Sequence, residues 1–363
     1  MIKVLVVDDS ALVRKLFGKV LSGVADFEVA FARDGLEALT QLHTFRPDVI
    51  TLDIHMPQMD GLACLDRIMV ERPCPVLMVS SLTAEGAETT LEAMRLGAVD
   101  FVAKPEGAVS LHMEVFAPQF IAKIRSAASA KLRASLRLRE RVQHRIGGGP
   151  RPRERNSAGT TVRASGAGIV LVGTSTGGPP ALEALLTPLP ATFPWPIVIA
   201  QHMPASFTGP LANRLDRLCA IKIAEVTAST VLEPGRAYIG RGDGDVVIAR
   251  RGSAFAAAPA SPEQYPWHPS ADRLVRTALK HVPPEQLVGI LMTGMGDDGA
   301  QAMTRLRALG GRTIAEAEET AVVWGMPGEL VKAGGADWVL PVQKIADKLQ
   351  TLVPIHASDP KGA

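Results

Sequence analysis

Short apolar runs alternate with helically spaced segments along two long stretches of the chain. In the first stretch Lys3–Val7, Glu28–Ala32, Asp48–Leu52, Pro75–Val79 and Asp100–Ala103 read as strands. Ala11–Leu21 and Gly35–His43 carry helical spacing between them. A second series starts at Gly168, with strands Ile169–Gly173, Pro196–Ala200, Leu287–Met292, Thr313–Ala315 and Trp338–Leu340. Its helical patterns are Ala181–Leu186, Leu211–Leu218, a run from Pro269-Ser270 to Val282, and Ala300–Leu309. Ala237–Ile239, Val246–Ala249 and Ala254–Ala258 are short β-like pieces between Gly-rich turns and suggest a β-hairpin. Strands alternating with helices predict an α/β fold, with two doubly wound parallel-sheet domains. No internal repeat relates the halves.

Between the halves the pattern breaks. Arg and Lys crowd Lys131–Arg145 with only Glu140 opposing them, and Gly147-Gly148-Gly149-Pro150 follows. A basic helical extension running into a flexible linker is expected over residues 126–167. Such a segment is a solvated tether, a docking surface for an acidic partner, or a hinge.

Composition narrows the picture further. The length of 363 residues fits two domains. Aromatic residues are 4% of a chain that is 47% hydrophobic, so the cores must be built from aliphatic side chains and Met. A net charge of +2 argues against a dedicated nucleic-acid binder. Cys64, Cys74 and Cys219 are isolated in sequence, which suggests neither a disulfide framework nor a Cys zinc site. No apolar run reaches the length of a membrane span, and the N-terminus enters a strand at once. The expectation is a cytoplasmic protein without membrane insertion.

Ligands of parallel sheets gather at the carboxyl ends of the strands. In the first series those ends carry Asp8, Asp9, Asp53, Ser80 and Lys104. Clustered carboxylates with room for water suit Mg²⁺. A hydroxyl and a lysine beside them equip the pocket for phosphoryl transfer onto a carboxylate.

In the second series Gly173-Thr174-Ser175-Thr176-Gly177 ends a strand and satisfies the G-x-S-x-G nucleophile pattern. Pro179 and Pro180 then suit a first helical turn. A phosphate-cradling turn is the alternative, and the glycine spacing fits a dinucleotide fingerprint poorly. A nucleophilic serine needs a base and an orienting acid. His202 and the Asp297/Asp298 pair stand at two further strand ends. His268, just ahead of a predicted helix, is the rival imidazole. The chain order Ser, His, Asp differs from the Ser, Asp, His order of α/β-hydrolases. Backbone N–H groups of Gly294-Met295-Gly296 offer an oxyanion hole, with Met295 the expected donor and Thr176 a second.

Residues 1 to about 125 resemble a response-regulator receiver domain. The matching pieces are Val7-Asp8-Asp9-Ser10, Asp34-Gly35, Asp53, Met56-Pro57, Met59-Asp60-Gly61, Ser80, Phe101 and Lys104-Pro105. The resemblance implies a flavodoxin-like fold with Asp53 as phospho-acceptor. Mg²⁺ would be held by Asp9, Asp53 and the backbone carbonyl of His55, with Asp8 supporting. Ser80 and Lys104 would be the switch pair, with Phe101.

Residues 168–355 resemble the protein-glutamate methylesterases of bacterial chemotaxis, the CheB family. The motifs are Gly173-Thr174-Ser175-Thr176-Gly177-Gly178, Gln201-His202-Met203-Pro204, Pro269-Ser270 with Asp272, Thr293–Gly299 and Gly325-Met326-Pro327. A Rossmann-like domain with a β-hairpin is implied, followed by a tail over 356–363. The resemblance selects Asp298 over Asp297. It implies a cofactor-free esterase that hydrolyses glutamyl methyl esters, and deamidates glutamines, on chemoreceptor cytoplasmic helices. It also implies phosphorylation by the chemotaxis histidine kinase, relief of a block by the unphosphorylated receiver, and recruitment to receptor arrays.

Three positions depart from the family pattern. Thr174 stands where Ala is common, Asp297 where Asn is common, and Trp267-His268 where His-Arg is common. The last pair keeps a hydrolase acting on a non-receptor ester or amide as an alternative. A non-catalytic response regulator is the other alternative.

Overall fold

Runs that are apolar at nearly every position cannot present a polar face, so they become strands covered by helices on both sides. A computed structural model of the chain describes residues 1–81, 83–104, 113–132, 168–265 and 267–353. It divides into two compact units, Met1–Pro150 and Arg151–Ala363. The basic stretch beyond residue 132, the linker, Pro105 and the tail lie outside the described residues.

The first unit runs β1 (Ile2–Val7), α1 (Ala11–Ser22), β2 (Phe27–Ala32), α2 (Gly35–Thr44), β3 (Val49–Asp53) and α3 (Gly61–Glu71). It continues through β4 (Val76–Ser80), α4 (Ala84–Leu96), β5 (Asp100–Ala103) and α5 (Met113–Ala128). All strands are parallel, in the order β2-β1-β3-β4-β5. That is the flavodoxin-like order, with its switch point between β1 and β3. Ser10, Asp34 and Asp60 cap α1, α2 and α3 by accepting from Val13, Glu37 and Ala63 N–H. Two motif aspartates of the sequence, Asp34 and Asp60, are thus helix caps. Phe17 and Phe120 seal α5 onto α1 with ring centroids 4.5 Å apart.

The second unit runs β6 (Ile169–Thr174), α6 (Gly178–Leu186), β7 (Ile197–Gln201), α7 (Ala205–Leu218), β8 (Lys222–Val226), β9 (Thr230–Val231) and β10 (Arg236–Gly240). Then come β11 (Asp245–Arg251), β12 (Ala254–Ala260), α8 (Ala271–Ala278), β13 (Leu287–Leu291), α9 (Ala300–Ala308) and β14 (Arg312–Glu316). It ends with α10 (Met326–Lys332), β15 (Trp338–Leu340) and α11 (Val342–Leu352). Seven strands form one parallel sheet, in the order β15-β14-β13-β6-β7-β10-β8. β9, β11 and β12 form a separate antiparallel sheet, with β11 and β12 as its hairpin.

Four details depart from the sequence expectation, the first being that α8 ends at Ala278 instead of running to Val282. Residues 237–239 belong to the parallel sheet, between β7 and β8, and not to the hairpin. β8 escapes sequence reading because it is an edge strand, with Lys222 and Ala224 exposed. α7 begins at Ala205 rather than Leu211, since Gly209 and Pro210 break the helical pattern inside it. No helix among the described residues is long and apolar enough to cross a membrane.

Phe120→Ala removes a ring that is 0% exposed from the first unit. It should destabilise that unit by about 3–5 kcal/mol. Scanning calorimetry should show its transition falling while that of the second unit stays in place.

Candidate functional site

Three neighbouring strands of the large sheet deliver the candidate catalytic groups to one edge. β6 pairs with β7 and with β13, all parallel. Ser175 follows β6, His202 follows β7, and Thr293–Asp298 follow β13. The backbone closes the gaps between them. His202 N–H donates to Thr174 O at 3.0 Å, and Ser175 N–H donates to Thr293 O at 3.0 Å.

The serine turn is shaped by what surrounds it. Gly177 has φ of 77°, a left-handed conformation that glycine adopts freely. A side-chain carbon on Gly178 would collide with Gln201 Oε1. The Gln201 amide donates to Ser175 O and to His202 O, each at 3.0 Å. One side chain therefore ties the carbonyls of both residues together. Thr293 clamps the turn from the other side. Its carbonyl accepts from the Thr174 hydroxyl at 3.0 Å, and its own hydroxyl donates to Thr176 O at 2.9 Å. The Thr174 hydroxyl is thus committed to this clamp.

His202 is buried, and its Nε2 lies 2.8 Å from Asp298 Oδ2. A carboxylate accepts, so Nε2 carries the proton and Nδ1 is the basic nitrogen. That Nδ1 is buried without a hydrogen-bond partner. The Ser175 hydroxyl makes no hydrogen bond among the described residues either. The two strand ends are thus brought together without a Ser175–His202 hydrogen bond in this structure.

Asp298 sits at the N-terminus of α8. Besides His202 it accepts from Ser270 Oγ at 2.9 Å, Ala271 N–H at 2.6 Å and Asp272 N–H at 3.0 Å. Burial pushes its pKa up. The bond and charge of His202 and the helix N–H groups outweigh that, and hold it below the ordinary carboxylate value. Asp297 is exposed and lies outside this cluster. Met295 N–H donates to no acceptor among the described residues, and the residue before it, Gly294, packs against Ser175. Thr176 is buried in the serine turn.

His268 is engaged elsewhere. Its Nδ1 lies 2.8 Å from Asp245 Oδ1, which also accepts from Ser270 N–H at 2.7 Å. Arg273 adds a 2.7 Å bond to the same carboxylate. Burial raises the Asp245 pKa, but the His268, Arg273 and Ser270 bonds bring it below its usual value. Gln201, Ser270 and Thr293 were not singled out as site residues from the sequence. Their position beside Ser175, His202 and Asp298 within the same motifs was the only signal.

The acidic pocket of the first unit lies at the carboxyl ends of β1, β3 and β5. Ligand atoms of Asp8, Asp9 and Asp53 lie within 4.8 Å of one another, a donor set that fits a hard divalent cation. Lys104 Nζ lies 2.7 Å from Asp53 Oδ2 and 3.1 Å from Asp8 Oδ2. Burial and the nearby Asp53 charge raise the Asp8 pKa, and Lys104 offsets only part of this. Burial works against the Lys104 charge, yet its bonds to Asp53 and Asp8 leave its pKa raised. His55 N–H reaches Asp53 Oδ1 at 3.4 Å. The Ser80 hydroxyl lies 3.2 Å from Gly86 O, and Phe101 is buried in β5. Gly61 packs so tightly on the Asp53 carbonyl that a side-chain carbon there would collide with it.

Comparison with known proteins places this geometry in context. The response regulator receiver domain model matches residues 4–116, and the CheB methylesterase model matches residues 170–349. Protein-glutamate methylesterase/protein-glutamine glutaminase 2 of Rhodopseudomonas palustris is 57% identical over 354 residues, covering 95% of this chain and 96% of that protein. Protein-glutamate methylesterase/protein-glutamine glutaminase 3 of Rhodospirillum rubrum is 52% identical, covering 96% of this chain and 95% of that protein. The crystal structure of the Thermotoga maritima CheB methylesterase catalytic domain matches with a TM-score of 0.50 and 37% identity, over 52% of this chain and 100% of that one. With that identity sustained across nearly its whole length, and a receiver domain ahead of a methylesterase domain, the chain belongs to the CheB family of protein-glutamate methylesterases/protein-glutamine glutaminases.

Proposed function

We propose that the chain is a phosphorylation-activated serine hydrolase that demethylates glutamyl methyl esters, and deamidates glutamines, on the cytoplasmic helices of chemoreceptors. The observation that carries this reading is the 2.8 Å bond between buried His202 and half-buried Asp298, with His202 Nδ1 left buried and unpartnered at the strand end next to that of Ser175. A buried nitrogen without a partner is disfavoured unless it has a task. Accepting the Ser175 proton is that task here.

Ser175 Oγ attacks the ester carbonyl carbon as His202 Nδ1 takes its proton. Asp298 holds the imidazolium that results. Met295 N–H, with Thr176, stabilises the oxyanion, each donor contributing roughly 3 kcal/mol. The carbon–methoxide bond then breaks, and His202 returns the proton to give methanol. Water attacks the acyl-enzyme by the same route, releasing glutamate and restoring Ser175. With a glutamine substrate the leaving group is ammonia.

Asp53 is the proposed phospho-acceptor, with a histidine kinase of the chemotaxis system as donor. Asp9, Asp53 and the His55 carbonyl would hold Mg²⁺, with Asp8 supporting. The ion would neutralise charge on the incoming phosphoryl group. Lys104 is then free to exchange a carboxylate for a phosphoryl oxygen, and Ser80 to leave the Gly86 carbonyl. With Phe101 they form the proposed switch that lifts the block on the esterase. The reading places the protein in the cytoplasm, at receptor arrays.

Ser175→Ala should lower methanol release from methylated receptor-bearing membranes by at least about 10⁴-fold. Its melting curve and Asp53 phosphorylation should match the parent; residual activity near the parent level would remove Ser175 as nucleophile. Asp53→Asn should keep basal esterase activity and lose its stimulation by acetyl phosphate. Equal stimulation of both proteins would count against the switch.

Asp8→Asn tests the acidic pocket. The raised Asp8 pKa means that its ionised form costs stability at neutral pH, a cost absent below the ordinary value of 3.8. The variant should therefore melt a few degrees higher at pH 7 in EDTA, and the gain should shrink as pH falls toward 4. Titration calorimetry should show weaker Mg²⁺ binding in the same variant.

A further inference from the structure

The Asp298 bond fixes one atom of the His202 ring but leaves its plane free to tilt. A second contact restrains the plane. The indole of Trp267 lies nearly parallel to the imidazole, with 14° between planes and 6.2 Å between centroids. That separation is within the range in which offset rings attract. The indole also approaches the loop after β13. Its Nε1 would be 3.9 Å from a side-chain carbon placed on Gly296.

Trp267 is itself held by its neighbours in the chain. The next residue, His268, is bonded to the buried Asp245, and Ser270 bonds Asp245 through its N–H and Asp298 through its hydroxyl. The segment carrying the indole is therefore pinned to the same carboxylate that orients His202. Two carboxylates thus anchor the residues that follow Trp267. The flat face of Trp267 also favours positive charge, so it suits an imidazole that becomes imidazolium in each turnover.

We propose that Trp267 is a positioning residue for His202: its indole sets the plane of the imidazole in which Nε2 meets Asp298 and Nδ1 is presented to Ser175. The proposal rests on the reading of His202 as the general base. It gives a role to a residue at which the chain departs from its family pattern. It predicts an effect on the chemical step rather than on receptor binding.

The test compares full-length Trp267→Leu and Trp267→Phe with the parent. Leu keeps apolar bulk without a ring, and Phe restores a flat face. Methanol release from methylated receptor-bearing membranes is measured with acetyl phosphate present. Labelling of Ser175 by a fluorophosphonate probe is measured alongside it, because it reports serine activation without the receptor. Trp267→Leu should lower kcat by about 3- to 30-fold with KM within about twofold, and slow labelling in step. Trp267→Phe should recover most of both.

A raised KM with unchanged kcat and labelling would overturn the proposal and make Trp267 a substrate contact. A Phe variant no better than Leu would overturn it as well. Calorimetry of both variants separates unfolding from misorientation. Should Trp267→Leu fail to fold, the Phe variant still decides, since near-parent kcat and labelling are required of it. Ser175→Ala assayed in parallel keeps the two readings apart. If it remains active or labelled, the triad reading fails. If it is inert while Trp267→Leu is as fast as the parent, only the role of Trp267 fails.

Discussion

A half-buried carboxylate set against the start of a helix organises the candidate active site. Asp298 accepts from His202, from the Ser270 hydroxyl and from the first N–H groups of α8. Helix N-termini leave such donors without intrahelical partners, and their dipoles favour a negative charge. One side chain thereby closes the helix end, locks the loop after β13 onto α8 and selects the tautomer of His202. Gly299, with φ of 90°, turns the chain just after Asp298 so that α9 can follow. Neutralising Asp298 would loosen each of these at once. The imidazole would lose its orienting acceptor and the helix its anionic cap.

The serine side of the site is held by backbone tethers instead of charge. Thr293, just past β13, and Gln201, at the end of β7, are bonded to the carbonyls around Ser175. Neither residue needs to touch a substrate for this. Their hydrogen bonds remove the freedom that a glycine-rich turn would otherwise have, and the proposed nucleophile gains from being held in place. The hydroxyl of Thr174 joins the same arrangement through Thr293. An alanine there would leave the Thr293 carbonyl with the Ser175 N–H alone from this segment.

Much of this was legible in the sequence because parallel sheets place their chemistry at strand ends. Ser175, His202, Asp298, Asp8, Asp53 and Lys104 all follow short apolar runs, and the topology brings those runs to common edges. What escaped depends on distances across the fold. Nothing in the local pattern says that the Gln201 amide spans to Ser175, or that Trp267 lies along His202. Nor does spacing separate Asp297 from Asp298, which differ only in which one the turn directs inward. At the level of elements, β8 was obscured by its exposed edge and β9 by its length of two residues, while β10 was read as a strand but not as part of the parallel sheet. The interior Gly209 and Pro210 hid the first turns of α7.

The two sites use aspartates in opposite ways. Asp298 has more donors than it needs to stay ionised, and its pKa is held down. Asp8 is buried beside the like charge of Asp53, with Lys104 as incomplete compensation, and its pKa is pushed up. A carboxylate of the first kind is a permanent fixture whose protonation state should not change during turnover. A carboxylate of the second kind sits in a pocket that gains stability when a cation arrives or when a neighbouring charge is masked. The proposed roles follow this division. Catalysis needs an imidazole held in one orientation at all times, whereas signalling needs a cluster whose balance of charge can be tipped. The opposite pKa shifts of Asp8 and Asp298 are the electrostatic form of that difference, within one chain and on the same type of sheet edge.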